Sequence, residues 1–160
     1  MLIDNNLIFD SNAAVTTTRD STNIIDLSVA RDIGDGEDIE VLVQCGTTNL
    51  ASTATTTTII AQIMVSTDNS TYTTAAKSDA VAIGKLTTGS HILNISMPIR
   101  RIYSEVAGAA GLGNDAYPRY IKLNYVCSAT LSAGTLTAAL IGDRQTNPGP
   151  GYPSGFTVNN

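Results

Sequence analysis

The stretch Arg119 to Ile141, RYIKLNYVCSATLSAGTLTAALI, decides the fold. Two sets of apolar residues alternate with more polar ones along it: Ile121, Leu123 and Tyr125, then Leu136, Ala138 and Leu140. A period of two places one set of side chains on a buried face and the other on an exposed face. Between the two sets, Gly134 suits a backbone with positive φ or a close approach of two chains. The stretch therefore predicts a β-hairpin in the middle of a sheet.

Shorter runs with the same alternation precede this stretch and supply strands to pack on it. We predict them at 24–27, Asp38–Gln44, Thr55–Ser66, Tyr72–Ala76 and His91–Met97. The run from Thr55 is apolar on both faces, which indicates either a central strand or a second face that meets a partner. Seven to eight short strands at intervals of roughly 10–15 residues, with turn residues between them, are typical of a sandwich or jelly roll.

The composition also indicates an all-β protein. Charged residues make up 14% of the 160 residues, well below the roughly 25% of ordinary soluble domains. Thr takes many of the polar positions, and its β-branched side chain favours a pleated, half-exposed surface. A chain of this length forms one domain with a real core. We therefore predict a jelly-roll-like antiparallel β-sandwich.

Both ends of the chain differ from the middle. Residues 1–14 contain apolar residues at irregular spacing, without the period of a helix or a strand. They are predicted to form an extended N-terminal arm or an edge strand that docks on another surface. Residues 15–142 form the predicted sandwich. Residues 143–160 hold three of the five prolines and form a predicted extended C-terminal arm. An extended peptide with spaced apolar anchors suits strand addition or groove docking, and the alternative is a disordered tail.

The net charge of the chain indicates which classes of partner it can bind. Net charge is −5 and the sequence pI is near 4.6, whereas binding to phosphates requires clustered Lys and Arg. We therefore expect neither nucleic acid nor an anionic membrane surface as a partner. The chain has no apolar run of the ~20 residues that a transmembrane helix needs. Its first residues do not follow the pattern of a signal peptide, so we expect synthesis in a cytoplasm.

Residue types that carry catalysis are scarce. His91 is the single histidine, and a nucleophilic site built on it would lack a matching motif. Cys45 and Cys127 are expected to be reduced, and the alternative is a disulfide. The acidic run at 32–38 does not have the spacing of a calcium loop and is interpreted as a solvated turn, with a cation site as the alternative. We therefore predict no enzyme activity, no metal and no cofactor.

Several pieces of the chain, taken in order, resemble the capsid cement (decoration) proteins of tailed bacteriophages, of the type found on the head of a Bordetella phage. The pieces lie at 3–5, 9–10, 22–27, 30–34, 36–41, 66–72, 119–125, 143–145 and 152–158. Single pieces are common in other proteins, and the specificity lies in the ordered set together with its ending Tyr152-Pro153-Ser154-Gly155-Phe156-Thr157-Val158. Residues 104–118 are longer than the usual link into the strand that follows.

The resemblance implies a jelly-roll-like fold and a dimer or trimer on the outer surface of a virion. The implied partner is a major capsid protein with the fold common to tailed phages. The cement protein would bridge neighbouring subunits of this shell, so that they do not separate under the pressure of the packaged DNA. The expected contacts with this partner or with another copy lie in the two arms: Ile3, Leu7, Phe9, Arg144, Tyr152, Pro153, Phe156 and Val158. A glycan-binding or adhesin-like virion module is the alternative, and it would need an exposed platform of aromatic rings such as Tyr72, Tyr103, Tyr117 and Tyr120.

Overall fold

The computed structural model of the protein describes residues 5–28, 39–54, 56–96 and 118–142. The described part is almost entirely β-structure, with two single-turn 3₁₀ helices at Asn5–Leu7 and Ile83–Lys85. The strands are β1 (Ile8–Ala14), β2 (Arg19–Asp20), β3 (Ile25–Asp26), β4 (Ile39–Cys45), β5 (Thr58–Ser66), β6 (Thr73–Lys77), β7 (Val81–Ala82), β8 (His91–Ser96), β9 (Tyr120–Cys127) and β10 (Thr135–Gly142).

These strands form two antiparallel sheets. Sheet I has the order β1-β10-β4-β8. Sheet II has the order β2-β9-β5-β6, with β3 also paired to β9 and β7 also paired to β5. When β2 with β3, and β6 with β7, are each counted as one interrupted strand, each sheet has four strands in jelly-roll order. The predicted all-β, jelly-roll-like sandwich is confirmed.

The core lies between the two sheets and takes alternate residues from each strand. Sheet II contributes a row from β5 that is at most 1% exposed, namely Ile59, Ala61, Ile63 and Val65. Sheet I contributes Val41 and Val43 from β4 with Leu136 and Leu140 from β10. These side chains occupy the positions that the alternation predicted to be buried. The hydrophobic effect thus explains which face of each strand points inward.

The predicted hairpin at 119–141 is wrong, because its two strands belong to different sheets. β9 pairs with β5 and with β2 and β3, whereas β10 lies between β1 and β4. The link at 128–134 crosses between the sheets and bonds to other links: the Leu131 amide donates to the Thr16 carbonyl at 2.7 Å, and Ala133 bridges to Ala51. Alternation shows which face of a strand is buried, and it does not identify the strand beside it.

The N-terminal part decides one open prediction and differs from the sequence at one further point. The sequence predicted an extended arm or an edge strand for residues 1–14, and residues 8–14 form the edge strand β1 of sheet I. Residues 15–23, which lie before the first predicted strand at 24–27, contain the short strand β2. Both segments are irregular: register shifts interrupt β1 along β10, and Asn12 has φ 51°. Such irregularity removes the clean period on which a strand prediction depends.

The two ends of the sandwich differ in their connections. One end, which we call the closed pole, carries the described links that cross between the sheets, at 15–18, 46–54 with 56–57, 83–90 and 128–134. These links bond to one another and to strand ends, as in Gly89 N–H to the Cys45 carbonyl at 3.0 Å and Ser132 N–H to the Ala51 carbonyl at 2.8 Å. The closed pole is therefore one hydrogen-bonded unit.

At the opposite end, which we call the open pole, other strand ends meet. Sheet I brings Gly142 opposite Ile39 and Ser96 opposite Glu40, and sheet II brings Asp26 opposite Tyr120. Residues 29–38, 97–117 and 143–160 therefore attach to the described sandwich at this one end. The turn at 67–72, which joins β5 to β6, lies at the same end.

Candidate interaction surface

Two of the partner contacts expected from the sequence lie within the described residues. Phe9 is 0% exposed and belongs to the core, and Leu7 is partly buried and packs against it. In this structure both therefore contact their own chain. The apolar character that suggested a partner contact is the same character that fills a core. The other expected contacts lie outside the described residues: Ile3, Arg144, Tyr152, Pro153, Phe156 and Val158.

A buried carboxylate joins the two sheets. Asp10 of β1 is 1% exposed. Its Oδ1 accepts from Arg19 Nη2 at 3.0 Å, from the Thr22 amide at 3.1 Å and from Thr22 Oγ1 at 2.6 Å. Its Oδ2 accepts from the Tyr125 hydroxyl of β9 at 2.7 Å. A buried charge needs such partners, and with all of them in place this carboxylate holds β1 of sheet I to sheet II.

The partners of Asp10 are themselves constrained. Burial, together with the neighbouring Asp10 carboxylate, raises the pKa of Tyr125 far above its usual value, so its hydroxyl stays a donor. The Arg19 guanidinium carbon lies 5.4 Å from the centre of the Tyr125 ring, and Arg19 Nε is buried without a hydrogen-bond partner among the described residues. The network has the features of a structural clamp, because both oxygens of the buried carboxylate already accept from donors of the same chain.

The outer face of sheet II carries a second group of charges and rings near the open pole. Two cations each lie over a tyrosine ring: Arg119 is 4.9 Å from the Tyr120 ring centre, and Lys122 is 4.0 Å from that of Tyr72. Each cation also has a carboxylate, with Arg119 Nε 2.8 Å from Asp26 Oδ1 and Lys122 Nζ 2.7 Å from Asp20 Oδ2. We call these six residues the cation–aromatic patch.

The pKa values of the patch carboxylates reflect these contacts. The hydrogen bond from Arg119 is the main reason why the pKa of Asp26 lies below its usual value. For Asp20, partial burial pushes the pKa up, but hydrogen bonds from Lys122 and Asn124 outweigh it, and the pKa is lowered overall. Both carboxylates are therefore charged at neutral pH, and the patch carries two cations and two anions.

Apolar side chains lie beside the charges on the same outer face. Met64 is opposite Lys122 in the register of β5 and β9, and it is half-buried. Ile24, next to β3, is 44% exposed and is the exposed large hydrophobic residue of the described chain. The sequence left open whether the second apolar face of β5 indicates a central strand or a partner. β5 is indeed central in sheet II, and its outer face still presents apolar atoms next to the patch.

The structure also bears on the thiols, metal sites, histidine and membrane spans considered from the sequence. Cys45 and Cys127 are free thiols, as expected, and they lie in different sheets. Within the described ranges no group of three His, Cys, Asp or Glu residues could hold a metal ion; the acidic run at 32–38 lies outside them. His91 is exposed at the start of β8. None of the described helices is long and apolar enough to span a membrane.

The aromatic platform needed for a glycan-binding module is only partly described. Tyr72 and Tyr120 do lie on one outer face, but a cation covers a face of each ring. A sugar stacks on a ring face that is free, and the cations already cover one face of each of these two rings. Tyr103 and Tyr117 lie outside the described residues.

Sequence reasoning did not find the cation–aromatic patch as a unit. Arg119 and Asp26 are 93 positions apart, and Lys122 and Asp20 are 102 apart. The only local signal was the polar alternation of β9, which predicted that Lys122 and Asn124 point outward. The pairing of β9 with β2 and β3 then decides which acids they meet.

The comparison with family models gives a match to the Bbp16 family over residues 9–140. The chain belongs to the Bbp16 family. The matched range runs from β1 into β10 and so covers nearly all of the described sandwich. The family name indicates a Bordetella phage protein, and a phage virion protein is compatible with it. Among curated proteins, the comparison finds none that matches this chain.

Proposed function

We propose that this Bbp16-family chain is a capsid cement (decoration) protein. It binds the outside of a tailed-phage head and bridges neighbouring subunits of the major capsid protein, so that the expanded shell withstands the pressure of packaged DNA. The observation that carries the proposal is the match of residues 9–140, nearly all of the described sandwich, to a phage-associated family. The ordered sequence resemblance to cement proteins supplies the more specific role.

The architecture is compatible with a mechanical role. Two sheets share one core, and the Asp10 network ties edge strand β1 across to the opposite sheet. A rigid body that binds several subunits gains avidity, because each contact after the first is intramolecular. The proposal includes self-association as a dimer or trimer and no cofactor, catalytic activity, nucleic-acid partner or membrane partner. It places synthesis in the host cytoplasm and the mature protein on the virion surface.

The central test uses mature, expanded capsids prepared with and without this protein. We expect purified protein to bind capsids that lack it and to raise the temperature at which they release DNA. Cosedimentation measures the binding, and fluorescence of a DNA-binding dye during heating measures the release. Capsids that fill with DNA and survive heating equally well without the protein would contradict the proposal.

The C-terminal arm is proposed as an anchor on the shell or on another copy. It continues from β10 at the open pole, with Tyr152, Phe156 and Val158 as spaced apolar residues. Deletion of residues 148–160 should weaken capsid binding and leave the far-ultraviolet circular dichroism and thermal unfolding of the sandwich unchanged. Unchanged capsid affinity of the folded truncated protein would show that the arm is not an anchor.

A further inference from the structure

We infer that the sandwich stands on the shell with its open pole inward, and that the cation–aromatic patch at the rim of this pole contacts the capsid protein. The closed pole then points away from the shell. This orientation rests on the proposed function and adds to it the surface that binds. The partner is a protein surface of the capsid that offers apolar contact to Ile24 and Met64 and oxygen acceptors to Arg119 and Lys122.

The two poles differ sharply in residue type. The four crossing links of the closed pole consist mainly of Thr, Ser, Ala, Gly and Asn, and Lys85 is the single charged residue in their sequence. The open pole and its rim have two tyrosines, two cations and exposed or half-exposed apolar residues. Protein interfaces are enriched in Tyr, Met and Arg, and they are depleted in Ser and Ala as well as in Lys, Asp and Glu, of which the Lys and Asp of the patch occur in charge pairs. This difference favours the open pole as the interface.

Several polar side chains of the closed pole are already bonded to its own links. Asn12 Oδ1 accepts from the Thr47 amide at 2.8 Å and from Thr135 Oγ1 at 2.7 Å. Asn49 Oδ1 accepts from the Thr88 amide at 2.8 Å and from Thr88 Oγ1 at 3.0 Å. These two asparagines are thus engaged in holding the links together. A partner would gain little by replacing bonds that the chain already makes to itself.

The cation–aromatic patch, by contrast, has hydrogen-bond donors beyond those that its own carboxylates use. A guanidinium has five N–H donors, and Asp26 takes two from Arg119, through Nε and Nη2. The side chains of Arg119 and Asp26 are 40% and 43% exposed. Because the patch holds two cations and two anions, it can approach another protein without the repulsion that the net charge of −5 would otherwise cause. Cations already held over rings lose little side-chain freedom on binding.

The attachment points of the remaining chain agree with this orientation. Residues 143–160 continue from β10 at the open pole, and 18 extended residues reach up to about 60 Å. A C-terminal arm that grips the shell needs to leave the sandwich on the shell side. An arm that began at the closed pole would first have to run the length of the sandwich.

The experiment compares two matched double variants in the full-length protein. Ile24→Glu with Arg119→Gln adds an anion and removes a cation at the patch. Thr53→Glu with Lys85→Gln makes the same change of charge at the closed pole, where both side chains are exposed. Thermal unfolding checks the fold of each protein, and cosedimentation with capsids that lack the protein gives the affinity. Ile24→Glu alone serves as a second patch variant if the loss of Arg119 destabilises the fold.

The patch variants should bind capsids about tenfold or more weakly than wild type, and the closed-pole variant should bind within about twofold of it. Equal binding by wild type and patch variants, or a loss confined to the closed-pole variant, would overturn the orientation while leaving the cement function intact. Patch variants that change the oligomeric mass in sedimentation velocity but keep the affinity of each oligomer for capsids would reassign the patch to self-association. Wild-type protein that does not bind would remove the proposed function itself, and the orientation with it.

Discussion

At the residue scale, short polar side chains form hydrogen bonds between links, a role that the composition alone does not reveal. Threonine is frequent because it suits a strand surface, yet several of its hydroxyls and amides bond across the sandwich ends. Thr18 Oγ1 accepts from the Cys127 amide at 3.0 Å, and Thr48 N–H donates to Thr135 Oγ1 at 3.0 Å. Backbone groups in links must find partners, and these hydroxyls supply them without adding charge.

The Asp10 network gives the first prediction. Tyr125→Phe removes the hydroxyl that donates to the buried Oδ2 at 2.7 Å, and a hydrogen bond to a charged group contributes about 1.5–3 kcal/mol. We expect the free energy of unfolding in urea to fall by about that amount. Tyr120→Phe is the control, because its ring is only half-buried, and it should change stability by less than about 0.5 kcal/mol. Equal effects of the two substitutions would contradict a clamping role for Tyr125.

The Arg119–Asp26 pair gives a prediction about pH. The hydrogen bond from Arg119 lowers the pKa of Asp26 in the folded state. Its stabilising effect is therefore present above the unfolded pKa of about 3.9 and is lost as the pH falls through the lower folded pKa. NMR titration of the Asp26 carboxyl carbon should show the lowered pKa in wild type, and Arg119→Gln should raise it. A pKa that does not respond to this substitution would assign the shift to another cause.

At the element scale, the link between β9 and β10 determines which sheet each strand joins. Gly134 ends this link with φ 147°, and a side chain at this position would collide with Leu50 of another link. The Gly134 carbonyl accepts from the Val15 amide at 3.0 Å. A conformation that glycine adopts readily thus allows three links to meet at the closed pole.

Gly134→Ala tests this role. A Cβ at position 134 would lie 2.9 Å from Leu50 Cα, which is backbone and cannot simply turn aside. With the strained φ added, we expect a loss of about 1–3 kcal/mol of stability. Gly84→Ala is the matched control, because its Cβ would meet nothing within 4 Å, and its effect should stay within about 0.5 kcal/mol. Both are measured by urea unfolding, and a neutral Gly134→Ala would show that the link can relax.

At the scale of the whole molecule, the sandwich and the C-terminal arm are expected to have separate tasks. Leu123 is 0% exposed in the core, so Leu123→Ala should lower the free energy of unfolding by about 2–5 kcal/mol. Phe156→Ala should leave unfolding unchanged and weaken capsid binding. Urea unfolding and capsid cosedimentation on both variants separate the two effects. If Phe156→Ala unfolds the isolated protein, this division of tasks is wrong.

Much of the architecture could be predicted from alternation alone. The rows of β5 and β9 that the sequence assigned to the core are buried, and most strand positions are correct to within a few residues. The sequence left two alternatives open where β1 is irregular. The errors lie where a strand is very short, as in β2, and where a choice of neighbour was needed, as for β9 and β10. Phe9 shows the same difficulty for sites, since an apolar residue near a chain end suits a core and a partner equally well.

The sequence by itself determined that the chain is an all-β sandwich with a defined inward face on each strand, because burial of alternate side chains is a local property of a pleated strand. Only the tertiary structure decided that the stretch from Arg119 to Ile141 spans both sheets. It also decided that Asp10 meets Tyr125, and that Arg119 and Lys122 meet acids about a hundred positions away. Strand pairing and the packing of the two sheets depend on contacts between residues far apart in the sequence. Many alternative pairings satisfy the same local pattern, and the packing of the whole core selects one of them.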